Sequence, residues 1–135
     1  MKKAVKSTIC IIMLLVLSLS LFACGNSKKN EFIDTFYSDR YNSSRNEIVK
    51  DLSVTVFDAK LNATGFYSGN LVDGYEDKIK NVLKEDWSDT VTNTASKVKA
   101  YAETKDISFS SDEAKDVTIA LVIHLVENYN YYYDW

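Results

Sequence analysis

Apolar residues in the C-terminal half of the chain recur at the spacing of a helix. From Leu71 to Ala102 they are separated mostly by steps of three and four residues, as one face of an α-helix requires. The last 61 residues contain neither glycine nor proline, the residues that most often interrupt regular structure. We therefore predict long helices here, with a break at 88–94, where poor helix formers cluster and Asn93 or Thr94 is a candidate N-cap.

A second apolar segment, 117–126, is hydrophobic on every side. Ser110 and Glu113 stand shortly before it at the spacing of a capping box, which favours a helix that begins there. A helix that is apolar all round lies at the centre of a bundle. The same ten residues also suit a buried strand, and hydrophobic periodicity does not separate the two.

The N-terminal half carries two further apolar stripes. An aromatic stripe predicts a short helix that packs onto the bundle; it comprises Phe32, Ile33, Phe36, Tyr37 and Tyr41. Beyond it, residues 48–59 keep helical register, although 52–57 also alternates and is rich in β-branched residues, as in a strand. We predict an all-α fold, a small helical bundle; the alternative is an α+β fold with short strands near 52–57 and 117–126.

The first residues differ in kind from the rest. Lys2, Lys3 and Lys6 precede a run of 14 residues, from Ile9 to Phe22, that is apolar apart from two serines. A basic segment before a short apolar run is typical of an export signal, and the run is shorter than the roughly 20 residues of a membrane-spanning helix. We expect this segment to be removed and to take no part in the fold.

The apolar run ends in Leu21-Phe-Ala23-Cys24. This sequence resembles the lipobox of bacterial lipoproteins, with Leu21, Ala23 and Cys24 at the matching positions. The resemblance covers residues 1–24 and implies a diacylglyceryl group on Cys24, with cleavage between Ala23 and Cys24. The alternatives are an ordinary secretory signal that happens to end at a cysteine and, less favoured, an uncleaved signal anchor.

The lipobox resemblance divides the chain into three parts. Residues 1–23 are the signal peptide, 24–30 are the lipidated cysteine with a short polar tether, and 31–135 are one helical domain. Loss of the signal takes three lysines with it and changes the net charge from -3 to -6. An acidic chain of this kind is not expected to bind nucleic acid.

Little in the remaining sequence indicates catalysis. The single histidine, His124, lies in the apolar run, where a buried imidazole with one hydrogen bond is expected. Asp73, Glu76 and Asp77 form the densest acidic group, which we interpret as a solvated helix face and not as a calcium site. We therefore predict no catalytic residue, no metal site and no cofactor other than the lipid on Cys24.

The C-terminus is unusually aromatic. Five of its last seven residues are tyrosine or tryptophan: Tyr129, Tyr131, Tyr132, Tyr133 and Trp135. Such residues are common in binding hot spots and at membrane interfaces, and they also pack well in small domains. Core packing is the favoured interpretation. The same five residues are the candidate interaction surface, and contact with lipid headgroups is a third alternative.

Together these features predict a lipid-anchored protein on the extracytoplasmic face of the cell membrane. Its expected function is that of a small interaction module that binds an envelope protein or an incoming macromolecule. The alternatives are a small-solute-binding lipoprotein and, less favoured, an envelope hydrolase that uses carboxylates.

Overall fold

The computed structural model describes residues 27–64, 70–85 and 88–133, which form seven helices. The order is α1 at 27–38, α2 at Ser43–Asp51, α3 at Ser53–Ala63, α4 at Tyr75–Glu85, α5 at Ser88–Thr104, α6 at Ser111–Glu127 and α7 at Tyr129–Tyr133. Among the described residues the only β-type pairing is an isolated bridge between Thr64 and Leu71. The predicted all-α bundle is confirmed, and the α+β alternative is wrong.

The segment 53–57 belongs to α3, and the burial of its apolar residues follows a helical face and not an alternating one. Leu52 and Val56 are fully buried, whereas Val54 between them is 72% exposed. A strand would place all three side chains on the same face. In α3 the buried positions are instead spaced by three and four residues, and they continue to Ala59 and Ala63.

Helix α6 is the central element, as its apolar composition predicts. Ser110 is its N-cap: the hydroxyl oxygen accepts from the Glu113 amide at 3.1 Å, and a Glu113 carboxylate oxygen accepts from the Ser110 amide at 2.9 Å. This reciprocal pair is the predicted capping box. The helix then runs through Glu127, and eight of its residues are buried.

The break predicted at 88–94 is wrong in position. Helix α4 ends at Glu85 and α5 begins at Ser88, so Asn93 and Thr94 lie inside α5 and cap nothing. The reason is tertiary packing, because Val91, Thr94 and Ala95 are all buried on one face of α5. Burial of that face outweighs the low helix propensity of the segment.

The predicted polar tether also needs correction. Residues 27–30 already belong to α1. Lys28 is docked: its Nζ lies 3.1 Å from a carboxylate oxygen of Glu113, donates to the Ser108 carbonyl at 2.9 Å and lies 5.5 Å from the centre of the Phe109 ring. These contacts stabilise a helical start at residues for which the composition predicted a polar tether. Residues 24–26 and the signal lie outside the described residues.

Aromatic residues form much of the core. The Phe32 ring of α1 lies 5.8 Å from Tyr101 of α5 and 5.7 Å from Phe109, both edge-on. Phe36, one turn later, lies 5.7 Å from Tyr101 and 6.1 Å from Tyr132 of α7. The aromatic stripe of α1 therefore packs onto the bundle as predicted, except that Tyr41 follows the end of α1 and is 95% exposed.

Helices α1 and α6 run in the same direction side by side. Lys28 in the first described turn of α1 contacts Glu113 in the first turn of α6, and the Tyr37 ring in the last turn of α1 lies 5.8 Å from that of His124 in the last turn of α6. Nine residues of helix separate Lys28 from Tyr37, or about 14 Å. The N-terminal end of the domain and the residues around Tyr37 therefore lie at opposite ends of this helix pair.

Candidate interaction surface

The C-terminal tyrosines divide between the core and the surface. Tyr132 is fully buried, and Tyr129 and Tyr133 are half-buried against the core. The Tyr133 hydroxyl donates to the Val49 carbonyl at 2.7 Å and so ties α7 to α2. Tyr131 points outward and is 38% exposed. The predicted surface at the C-terminus is thus mainly packing, with Tyr131 as its exposed member; Trp135 lies outside the described residues.

Tyr131 is held in a defined position by Tyr37. The two rings are stacked with centroids 4.4 Å apart and planes inclined by 16°. The Tyr131 hydroxyl also donates to the Tyr37 carbonyl at 2.8 Å. Tyr37 itself is 41% exposed, so the stacked pair presents aromatic surface to solvent in a fixed geometry.

The surface is extended by two residues, Arg40 and Tyr41, which follow the end of α1. The Arg40 guanidinium lies 5.7 Å from the centre of the Tyr131 ring, within range of a cation–π interaction. Tyr41 follows it and is almost fully exposed. We call Tyr37, Arg40, Tyr41 and Tyr131 the tyrosine–arginine surface. Tyrosine and arginine are among the residues most enriched in protein-binding hot spots.

Arg45 lies beneath the surface and closes the end of α1. Its Nε donates to the Phe36 carbonyl at 2.9 Å and one Nη donates to the Tyr37 carbonyl at 3.4 Å, so it satisfies carbonyls that the helix terminus leaves unpaired. The guanidinium also lies between the rings of Phe36 and Tyr132, at 5.1 and 4.7 Å from their centres. Arg45 is 6% exposed and therefore buried with its charge.

His124 supports the same region from inside the bundle. Its Nε2 lies 2.7 Å from the Tyr132 hydroxyl, and Asn128 Nδ2 lies 3.3 Å from its Nδ1. Burial lowers the pKa of His124; the Asp34 carboxylate opposes this effect and Arg45 adds to it. His124 is thus partly buried, where full burial was expected, and both of its ring nitrogens have a neighbour, where one hydrogen bond was expected.

Some acidic residues elsewhere pair with a tyrosine or a lysine that is distant in sequence. No group of three or more potential metal ligands occurs among the described residues, which include Asp73, Glu76 and Asp77. The Tyr75 hydroxyl donates to the Glu127 carboxylate, which raises the pKa of Tyr75 to about 12. Asp39 accepts from the Tyr101 hydroxyl at 2.9 Å and pairs with Lys105 at 3.0 Å, and Lys105 is the largest cause of its lowered pKa.

Part of the predicted site lies beyond the described residues. Ala23 and Cys24, the predicted cleavage and lipidation positions, precede residue 27. Within the described ranges, no helix is both long enough and apolar enough to cross a bilayer.

Sequence patterns did not indicate the two arginines, Arg40 and Arg45, and they placed Tyr41 in the stripe that packs onto the bundle. A usable signal was present, because the chain contains 14 lysines but only two arginines, and these stand five residues apart. Sequence patterns also did not indicate the apolar stripe on the outer face of α3. Its residues Val54, Phe57 and Leu61 are all exposed by about half or more. That stripe follows from the helical assignment of 53–63, which the competing strand pattern obscured.

Comparison with known proteins places no relative beside this chain. No family model, no curated protein and no solved structure matches it.

Proposed function

We propose that the protein is a lipid-anchored interaction module on the extracytoplasmic face of a bacterial membrane. It binds an envelope protein or an incoming macromolecule through the tyrosine–arginine surface. The observation that carries the proposal is the fixed stack of Tyr37 and Tyr131, which keeps two large aromatic side chains exposed beside Arg40 and Tyr41.

The position of the surface relative to the proposed anchor supports this function. Cys24 stands three residues before Ser27, a distance of at most about 11 Å of extended chain. The anchor is thus held near the start of α1, whereas Tyr37 lies at the other end of the α1–α6 pair. When the α1–α6 pair stands upright on its anchor, a surface at that end faces away from the bilayer, which favours recognition of a macromolecule over contact with lipid headgroups.

Preorganisation supports it further. A side chain that is immobilised only on binding costs about 0.5–1.5 kcal/mol in lost freedom. Tyr131 is already fixed by the stack on Tyr37 and by its hydrogen bond to the Tyr37 carbonyl. The contact therefore loses little entropy when a partner arrives.

The anchor is tested by replacing the acylated residue. Cys24→Ala removes the only sulfur to which the lipid could be attached at the lipobox, and we expect the variant to accumulate as an unprocessed precursor or as a released form. The measurement is membrane fractionation with metabolic labelling by a fatty acid, and Cys10→Ala is the matched control, since Cys10 leaves with the signal. Lipid labelling of the Cys24→Ala chain equal to that of the parent contradicts the anchor.

The interaction is tested by cross-linking in intact cells. A photoreactive phenylalanine derivative replaces Tyr41, and in a parallel strain it replaces Glu103, an exposed residue of α5. We expect a discrete product of higher mass from position 41 and none from position 103. Equal yields from both positions, or only lipid adducts from position 41, contradict the proposed function.

A further inference from the structure

Both arginines of the chain line the same cavity. The cavity has a volume of about 320 Å³ and lies between the end of α1, the start of α2 and α7. Arg40 and Arg45 contribute to its wall, together with three tyrosines, Asn46 and Val49. The chain has 14 lysines, yet only guanidinium groups occur here. Arginine differs from lysine in presenting planar, forked donors that match the two oxygens of a carboxylate or phosphate.

Arg45 is a buried charged residue in the wall of this cavity. The side chain is 94% buried, since only 6% of it is exposed. Its three hydrogen bonds go to the carbonyls of Phe36 and Tyr37 and to Asn46 Oδ1, the last at 2.8 Å. All three acceptors are uncharged. A buried charge of this kind is costly unless an opposite charge is supplied.

None of the described residues that line the cavity carries a carboxylate to supply that charge. Arg45 contributes to the lowered pKa of Asp39, but the Asp39 carboxylate is already engaged by Lys105 and by the Tyr101 hydroxyl. The partial negative charge at the end of α1 compensates Arg45 in part, because a helix terminus carries about half a charge. Arg40 adds a second cation at the rim without an ion pair to any described residue. The lining is therefore complementary to an anion.

We propose that the cavity binds a carboxylate group of a partner polypeptide, either an acidic side chain or a C-terminal carboxylate. The carboxylate meets Arg45 at the floor and Arg40 at the rim. A planar, singly charged group suits the forked donors of a guanidinium, whereas a phosphate dianion calls for more donors. The stacked Tyr37 and Tyr131 rings beside the cavity accommodate an apolar neighbour of that carboxylate.

This inference rests on the proposed function, because it names the chemistry of the partner, but its test needs no partner. The full chain is prepared in maltoside micelles, which carry no anionic group, with ¹⁵N in arginine only. Two Nε resonances then report on the cavity. Acetate is titrated at constant ionic strength against acetamide, which has nearly the same shape and no charge, and against inorganic phosphate.

We expect a saturable shift of the arginine Nε resonances with acetate and none with acetamide. In Arg40→Gln, Arg45 still binds the carbonyls at the end of α1. The substitution should raise the half-saturating acetate concentration about tenfold, the size of effect expected for one charge-assisted hydrogen bond. Lys50→Gln is the matched control, since Lys50 is exposed on α2 and outside the cavity lining. It should leave the titration unchanged.

Three results overturn the inference. Equal shifts with acetate and acetamide mean that no anion site exists. Half-saturation by phosphate at a tenfold lower concentration than by acetate means that the ligand is a phosphoryl group. Equal weakening by Arg40→Gln and Lys50→Gln means that the shifts report net charge alone. Each of these leaves the cross-linking from position 41 unaffected, so failure of the cavity and failure of the interaction module are separable.

Discussion

The ring of Tyr131 is stacked on the ring of Tyr37, 94 residues away in sequence, and its hydroxyl donates to the carbonyl of the same residue. This double contact joins the last helix to the first at an exposed position. Tyr132, the next residue, instead enters the core, where its hydroxyl meets His124. Two adjacent tyrosines of a short helix therefore have different physical roles.

The two roles predict different effects of truncation. Tyr132→Ala removes a buried ring and leaves a cavity, so we expect a loss of about 3–5 kcal/mol in the free energy of unfolding. Tyr131→Ala removes one stacked ring at the surface and should cost about 1 kcal/mol. Urea unfolding followed by circular dichroism measures both. Comparable losses for the two variants contradict the division between core and surface.

The helical assignment of 53–63 is tested by one substitution at two neighbouring positions. Val56→Asp places a carboxylate in the core and should unfold the domain or destabilise it by more than about 3 kcal/mol. Val54→Asp changes a side chain that is 72% exposed, and we expect a change within about 0.5 kcal/mol. In a strand the two valines share a face, so equal destabilisation of both variants contradicts the helix.

Local sequence patterns predict the features that depend on neighbouring residues and miss those that depend on distant contacts. The capping box at Ser110 and Glu113 and the stripe of Phe32 and Phe36 are local patterns, and the structure confirms both. The true position of the helix break near 88–94 and the burial of the Arg45 guanidinium both depend on contacts with distant residues. Arg45 meets the end of α1 and the Tyr132 ring, 87 residues later, and no local pattern indicates that meeting.

The pH dependence of stability should report on His124. Its pKa in the folded protein lies below the ordinary value of 6.5, because burial disfavours the imidazolium. As the pH falls, the imidazole binds its proton first in the unfolded chain. The free energy of unfolding therefore has its highest value above pH 6.5 and declines as the pH falls below 6.5. His124 is the only histidine and most carboxyl groups titrate below pH 5. The decline between pH 7.5 and 5.5 is measured by urea unfolding, and His124→Gln should flatten it. An unchanged slope in the variant contradicts the assignment.

The end of α5 contains a residue that glycine should improve. Asp106 has a φ of 60°, in the left-handed region, and the amides of Asp106 and Ile107 donate back to the carbonyls of Glu103 and Ala102. Glycine adopts this conformation without the steric cost of a Cβ. We expect Asp106→Gly to raise the free energy of unfolding by about 0.5 kcal/mol and the melting temperature by about 2–4 °C. Asp89→Gly, in the first turn of α5, is the control and should lower both. A lower melting temperature for Asp106→Gly contradicts this account of the helix end.

The most direct test of the central claim measures the cross-linked product from position 41 in chains with one further change. Tyr131→Ala removes the exposed half of the stacked pair, and Leu61→Ala removes an exposed apolar side chain of α3, outside the tyrosine–arginine surface. At equal amounts of anchored protein, the account predicts that Tyr131→Ala lowers the yield at least fivefold and that Leu61→Ala leaves it unchanged. A yield that is retained in Tyr131→Ala, or lost in Leu61→Ala, contradicts recognition through this surface.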